Sequence, residues 1–137
     1  MDGANVFVDT NVLLYAAGGS VSSEEKHERA LKVLTENFGV STQVLAEFYV
    51  HATRKGPAPL PAESARQWVV QLARKPCQVV DFKIVRRGME ISQRYQTSYW
   101  DGAIIAAAER LGCTIVYSEG LNDHQKYDNV TVINPFL

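Results

Sequence analysis

Five acidic side chains stand at positions where an acid calls for a reason. Asp9 directly follows the short, mostly apolar run 5–8, and Glu119 and Asp123 follow the apolar stretch 114–117. Glu47 falls in a segment whose apolar residues Val44, Leu45, Phe48 and Ala52 recur at helical spacing. With Val44 at the zero of a helical wheel, Glu47 lies beside the apolar face rather than opposite it. Asp101 sits next to Trp100 and just before the small apolar run 103–108. Each acid also has an ordinary reading. Asp9 could be a turn residue or helix cap, Asp101 an acid favoured by the helix dipole, Glu47 a solvated helix acid and Asp123 a polar loop residue. Together they suggest a different chemistry, because carboxylates crowding one crevice repel each other unless a cation lies among them. Hard divalent cations such as Mg²⁺ take oxygen ligands, usually one or two carboxylates completed by water and substrate phosphate. Such a centre activates water and stabilises charge on a phosphodiester during displacement.

For these acids to meet, the chain must present them on one edge of a scaffold. Residues 5–8, apolar from Val6 to Val8, read as a central strand covered on both faces. Residues 12–17 read as an opening helix, broken by Gly18, Gly19 and Ser20. Ser22 and Glu25 form a capping box for a second helix to about residue 37. A short strand at 39–41 runs into a third helix over 42–55, which Gly56 ends. The Pro-rich link through Pro57, Pro59 and Pro61 is a loop within the domain, and Pro61 suits the first turn of a fourth helix to about residue 74. A strand at 78–80 is followed by Asp81, which caps a fifth helix to about residue 96. A sixth helix spans about 99–111 and stops at Gly112. The last strands are 114–117 and 130–133. This alternation predicts an α/β fold, a three-layer sandwich around a central, mainly parallel sheet. In such sheets the functional crevice lies beyond the carboxyl ends of the strands, where Asp9 and the acids after residue 117 would open together.

Composition bounds the function. The 137 residues suit a single domain spanning 1–137, with 46% hydrophobic and 21% charged residues. A formal net charge of -1 gives no overall signature of a polyanion binder, which counts against a high-affinity duplex binder. Local basic patches and metal ions leave a nuclease open. Cys77 and Cys113 fall short of a disulfide framework and read as buried thiols in a reducing compartment. The start has no basic segment before its apolar stretch and carries Asp9 and Asn11 inside it, unlike a signal peptide. No apolar run approaches the roughly 20 residues that span a bilayer. A soluble, cytoplasmic protein with no membrane association is the expectation.

Four segments then carry a resemblance. Val6-Phe-Val-Asp9-Thr-Asn-Val-Leu-Leu-Tyr15 resembles the opening motif of PIN domains, and Ser41-Thr-Gln-Val-Leu-Ala-Glu47-Phe resembles their second motif. Ser98-Tyr-Trp-Asp101-Gly-Ala-Ile-Ile is similar to the third, in which an Asp opens an apolar helix. Ile115-Val-Tyr-Ser-Glu-Gly-Leu-Asn-Asp123 is similar to the fourth, and Val132-Ile-Asn-Pro-Phe136 to the usual ending. An Asp-Thr-Asn alone is weak; four motifs in order over nearly the whole chain are specific. The resemblance implies a PIN-like fold and, among its members, VapC-like toxins of bacterial toxin–antitoxin pairs. It implies a Mg²⁺- or Mn²⁺-dependent endoribonuclease acting on RNA, often a homodimer and held inactive by a cognate antitoxin protein. By position, Asp9, Glu47 and Asp101 match the acidic triad and Asp123 the fourth acid, as catalytic and metal-binding residues. Asn11 and Ser118 match supporting polar positions.

One departure matters. Relatives with this ending commonly read Ser-Glu-Asp-Leu, and Gly120 stands where that Asp would be. The chain is therefore expected to be either an active nuclease or a weakened or inactive PIN-like scaffold that binds RNA or a partner. A phosphotransferase of the haloacid-dehalogenase type is disfavoured, because its second Asp, two residues after the first, is here Asn11. His51, Arg54 and Lys55 extend from Glu47 along one helix and could meet RNA phosphates, or simply form a solvated helix end. Arg86, Arg87 and Arg94 could flank an RNA path. Tyr95, Tyr99 and Trp100 could stack on bases, although Trp100 is assigned to core packing.

Overall fold

A computed structural model describes residues 3–18, 23–54, 56 and 59–137. The elements run β1 (Val6–Val8), α1 (Thr10–Ala17), α2 (Glu24–Val33), β2 (Phe38–Ser41), α3 (Thr42–Arg54), α4 (Ala62–Leu72), β3 (Cys77–Gln78), α5 (Phe82–Tyr95), α6 (Tyr99–Arg110), β4 (Ile115–Tyr117), β5 (Lys126–Tyr127) and β6 (Val130–Ile133). The strands form one sheet in the order β3-β2-β1-β4-β6-β5. All neighbours are parallel except β5 and β6. β1 lies inside this sheet, and Val6, Phe7 and Val8 are all buried, as their uniformly apolar character requires of a covered strand.

Crossovers between parallel strands are right-handed. Steps from β1 to β2 and from β2 to β3 move one way along the sheet and carry α1–α4 on one face. The return from β3 to β4 carries α5 and α6 on the other. Packing agrees: α1 contacts α2 and α3, α3 contacts α4, and α5 packs along α6. The result is the expected three-layer α/β sandwich. No helix among the described residues is long and apolar enough to cross a membrane.

The α5–α6 contact governs the position of Asp101. Gly88 and Gly102 let the two backbones approach so closely that a Cβ at Gly102 would collide with the carbonyl oxygen of Gly88. Residues 102–108 of α6 are buried without interruption, and Asp101 stands just outside that plug, in the first turn.

Several boundaries differ from the sequence-based expectation. Ser23 caps α2 by accepting from the Lys26 N–H at 3.2 Å; the expected cap Ser22 lies outside the described residues, as do Gly19, Ser20, Lys55 and Pro57. Regular helix ends at Val33 rather than near residue 37, and at Leu72 rather than near residue 74. β3 is shifted to Cys77–Gln78, paired with Val40 and Ser41. The pairing of β5 with β6 went unseen, because a polar two-residue strand has no hydrophobic period. What holds its turn is tertiary: Asp128, at φ 54, accepts from Tyr95 Oη at 2.6 Å and from Arg87 at 2.6 Å.

Gly102→Ala should destabilise the fold by about 1–3 kcal/mol, the usual cost of forcing a group into a filled contact. Urea unfolding checks this, and an unchanged midpoint would show that the α5–α6 approach is slack.

Candidate active site

The register of β1 against β4, with Val8 opposite Tyr117, delivers Asp9 and Ser118 side by side where the two strands end. Asp9 caps α1, with extended backbone and Oδ1 accepting from the Thr10 N–H at 2.7 Å. Its Oδ2 accepts from Ser118 Oγ at 2.8 Å. The helix-cap reading of Asp9 therefore holds, and the same side chain also lines a cavity with Glu47 and Asp101. Ser118 is fully buried and also accepts from the N–H groups of Gly120 and Leu121, so it ties the loop after β4 to Asp9. Asn11 does the same from α1, with Oδ1 accepting from the Glu119 N–H at 3.2 Å.

Glu47 is half-buried on α3, beside the apolar stripe of Val44, Leu45, Phe48 and Ala52. Thr10 Oγ1 donates to its Oε1 at 2.8 Å and Gln43 Nε2 to its Oε2 at 3.3 Å. Asp101 receives Thr97 Oγ1 at 3.3 Å, while Ser98 Oγ caps its backbone N–H. Asp9, Glu47 and Asp101 line one cavity of about 260 Å³, together with Asn11, Gln43, His51 and Trp100. Burial pushes the Asp9 carboxyl above its ordinary value; the Thr10 and Ser118 bonds oppose this, and the charges of Glu47 and Asp101 add to it.

The other acids are handled differently. Glu119 is bound by Lys26 Nζ and Tyr15 Oη, each at 2.5 Å. Burial works against its charge, yet those two partners hold its carboxyl below the usual range. Asp123 is not brought among the cavity acids: its Oδ1 accepts from the Asn134 N–H at 2.7 Å and its Oδ2 meets His124 Nδ1 at 2.8 Å. Asp128 pairs with Arg87 and Arg94. Outside the cavity these acids have basic partners; inside it, the bonds to Asp9, Glu47 and Asp101 come from neutral donors. Among the described residues, no three His, Cys, Asp or Glu side chains stand close enough together to form a ready-made metal cage, so the three acids share the cavity without closing around an ion's position. The donor set nevertheless fits Mg²⁺ or Mn²⁺, which bind through few carboxylates and complete their shell with water and phosphate.

His51 lines the cavity one turn beyond Glu47, and Arg54 is exposed at the end of α3; Lys55 lies outside the described residues. Arg87 does not flank an open path, being bound to Glu109, Glu90 and Asp128. Trp100 is the clearest correction. It is 62% exposed and stands in the cavity wall rather than the core, because it lies on the first turn of α6 before the buried run begins. Thr10 and Gln43 were missed; adjacency to Asp9 and a four-residue step to Glu47 were the available signals.

The PIN-domain family model matches residues 6–128. The chain belongs to the PIN-domain family. No curated protein matches the sequence. Among solved structures, the PIN fold seen here is similar to VapC20 of Mycobacterium tuberculosis, described as a sarcin-ricin loop cleaving toxin, at 16% identity and TM-score 0.66, covering 82% of this chain and 88% of that one. It is also similar to a chain of a toxin–antitoxin complex from Klebsiella pneumoniae (18% identity, TM-score 0.70, 95% and 97% covered). A third is a chain of the DNA-bound VapBC complex of Salmonella typhimurium (18% identity, TM-score 0.63, 94% and 96% covered).

The raised Asp9 carboxyl makes the PIN site testable by linkage. A carboxyl that holds its proton more tightly when folded stabilises the fold below its unfolded value, near 3.8, and that contribution is lost as pH rises through the folded value. In EDTA at neutral pH, Asp9→Asn should therefore melt above the parent, with the gap closing in acid. Added Mg²⁺ should raise the melting temperature of the parent and not of the variant. Identical melting curves across pH would show that the three charges are not in conflict.

Proposed function

We propose that this chain is a Mg²⁺- or Mn²⁺-dependent endoribonuclease, the toxin of a VapBC-type toxin–antitoxin pair. The observation that carries the reading is the convergence of Asp9, Glu47 and Asp101 on one cavity at the carboxyl end of a PIN sheet. Toxin and toxin–antitoxin structures among the similar folds support an antitoxin protein as partner; a homodimer and a cytoplasmic location belong to the same proposal.

Asp9 and Asp101 would hold the divalent ion, and Asp123, committed to Asn134 and His124, would reach it only through water. When bound, the ion supplies charge stabilisation for the phosphodiester and lowers the pKa of the attacking water. Ser118 and the Thr10 N–H fix the direction of Asp9's oxygens. Glu47, oriented by Thr10 and Gln43, accepts a proton from the attacking water as its oxygen bonds to phosphorus. The phosphorus–oxygen bond to the departing ribose then breaks, and solvent protonates the leaving oxygen. His51 and Arg54 follow Glu47 along α3 and would meet the strand's phosphates, with Lys55, next in the sequence, assigned the same role.

A second reading, a PIN scaffold that binds without cutting, is favoured by Gly120. A Cβ there would stand 3.6 Å from Asn11 Nδ2, an ordinary contact distance, so the position adjoins a residue of the cavity wall and accepts a side chain's first carbon without a clash.

Fluorescent single-stranded and tRNA-like RNAs incubated with Mn²⁺, Mg²⁺ or EDTA test both. Metal-dependent cuts are expected, falling roughly a hundredfold or more in Asp101→Asn, since an ion's charge stabilisation is worth several kcal/mol. Full activity in that variant would sink the assignment. Gly120→Asp should cut faster than the parent. Cutting by Gly120→Asp alone would identify an inactivated nuclease, and RNA binding by both without cutting would identify the scaffold.

A further inference from the structure

Beside the acidic cavity lies a second, mostly apolar hollow of about 460 Å³, lined by Thr42, Gln43, Ala46, Glu47, Val80 and Trp100. The two hollows share a wall made of Gln43, Glu47 and Trp100. That wall is built, not loose. Gln43 Nε2 donates to both Glu47 Oε2 and the Trp100 carbonyl, each at 3.3 Å. Thr42 Oγ1 accepts from the Val80 N–H at 3.1 Å. The Trp100 ring is braced edge-on by Tyr99, centroids 5.0 Å apart, yet remains 62% exposed.

With a divalent ion held by the acids, as proposed above, an occupant spanning both hollows would place an anionic group on that ion and a flat apolar group a short step away. A nucleotide does both at a spacing set by its own covalent geometry. We infer that the second hollow receives a nucleobase of single-stranded RNA adjoining the scissile phosphate, stacked on the Trp100 indole. The side-chain carbonyl oxygen of Gln43, whose N–H groups hold Glu47 and the Trp100 carbonyl, faces its polar edge. This rests on the nuclease reading above and adds a base subsite to it. Stacking tolerates every base, since each has a π-face, so Trp100 would anchor the strand, and Gln43 would supply what base preference there is.

The chain has two tryptophans, so Trp68→Phe with Asp101→Asn leaves Trp100 as the reporting indole in a protein that cannot cut. Short oligo(A), oligo(C) and oligo(U) and an abasic ribose–phosphate strand are titrated against its fluorescence. The base-bearing strands should quench it and the abasic strand should not. Trp100→Ala should weaken binding of base-bearing strands roughly tenfold, read by strand anisotropy. Trp100→Phe should recover most of that loss, and the abasic strand should bind all three alike. RNA bound with unchanged Trp100 emission, or abasic and normal strands bound equally, overturns the subsite while metal-dependent cleavage by the parent keeps the nuclease reading intact. Trp100 emission that answers only to a protein partner also overturns it. Neither binding nor cleavage of any strand would remove both proposals.

Discussion

Asp9, Glu47 and Asp101 bring like charge into one cavity, and their mutual repulsion is the constraint around which the surrounding structure is arranged. Repulsion of this kind can be relieved by a basic side chain, by a proton or by a cation. The protein uses basic side chains elsewhere: Lys26 on Glu119, Arg87 on Glu109 and Asp128, His124 beside Asp123. In the cavity it uses backbone N–H, hydroxyl and amide donors instead. Neutral donors aim a carboxylate without cancelling its charge, so the negative field of the cavity is left uncompensated by protein side chains among the described residues.

Holding three repelling groups in place needs a rigid frame, and the frame comes from backbone approach and buried hydroxyls. The Gly88–Gly102 contact fixes α6 against α5 and thereby sets where Asp101 begins its helix. Ser118 joins Asp9 to the loop after β4, and Thr10 joins α1 to Glu47 on α3. The Ser118 and Thr10 links span elements distant in sequence, so a change in the packing of α1, α3 or α6 moves an acid relative to the others. In the PIN architecture the core and the site are thus one mechanical unit.

Much of this arrangement was legible beforehand. Apolar runs at strand spacing, helical periods and the acids that interrupt them are local signals, and among the described residues they mark β1, β2, β4, β6, helices α1–α6 and the acids Asp9, Glu47 and Asp101 that line the cavity. The signal faded where an element had no hydrophobic period, as in β5. It is also ambiguous at Trp100, an indole that adjoins a buried run in sequence yet stands in the cavity wall; one turn of helix decides between core and cavity wall. Arg87 looked like a free cation on a helix face, and only the fold shows its acid partners.

The amino-acid pattern was enough for the fold class, for the order of the elements other than β5 and for which acids interrupt apolar segments, because residue type and short-range spacing set which segments are strand or helix. Tertiary structure alone decided which acids meet. Asp9 reaches Ser118 across 109 positions and Thr10 reaches Glu47 across 37, whereas Asp123, though next in line after β4, is drawn to Asn134. Such pairings follow from strand register and helix crossing. Those are long-range packing outcomes, and no local pattern of residues encodes them.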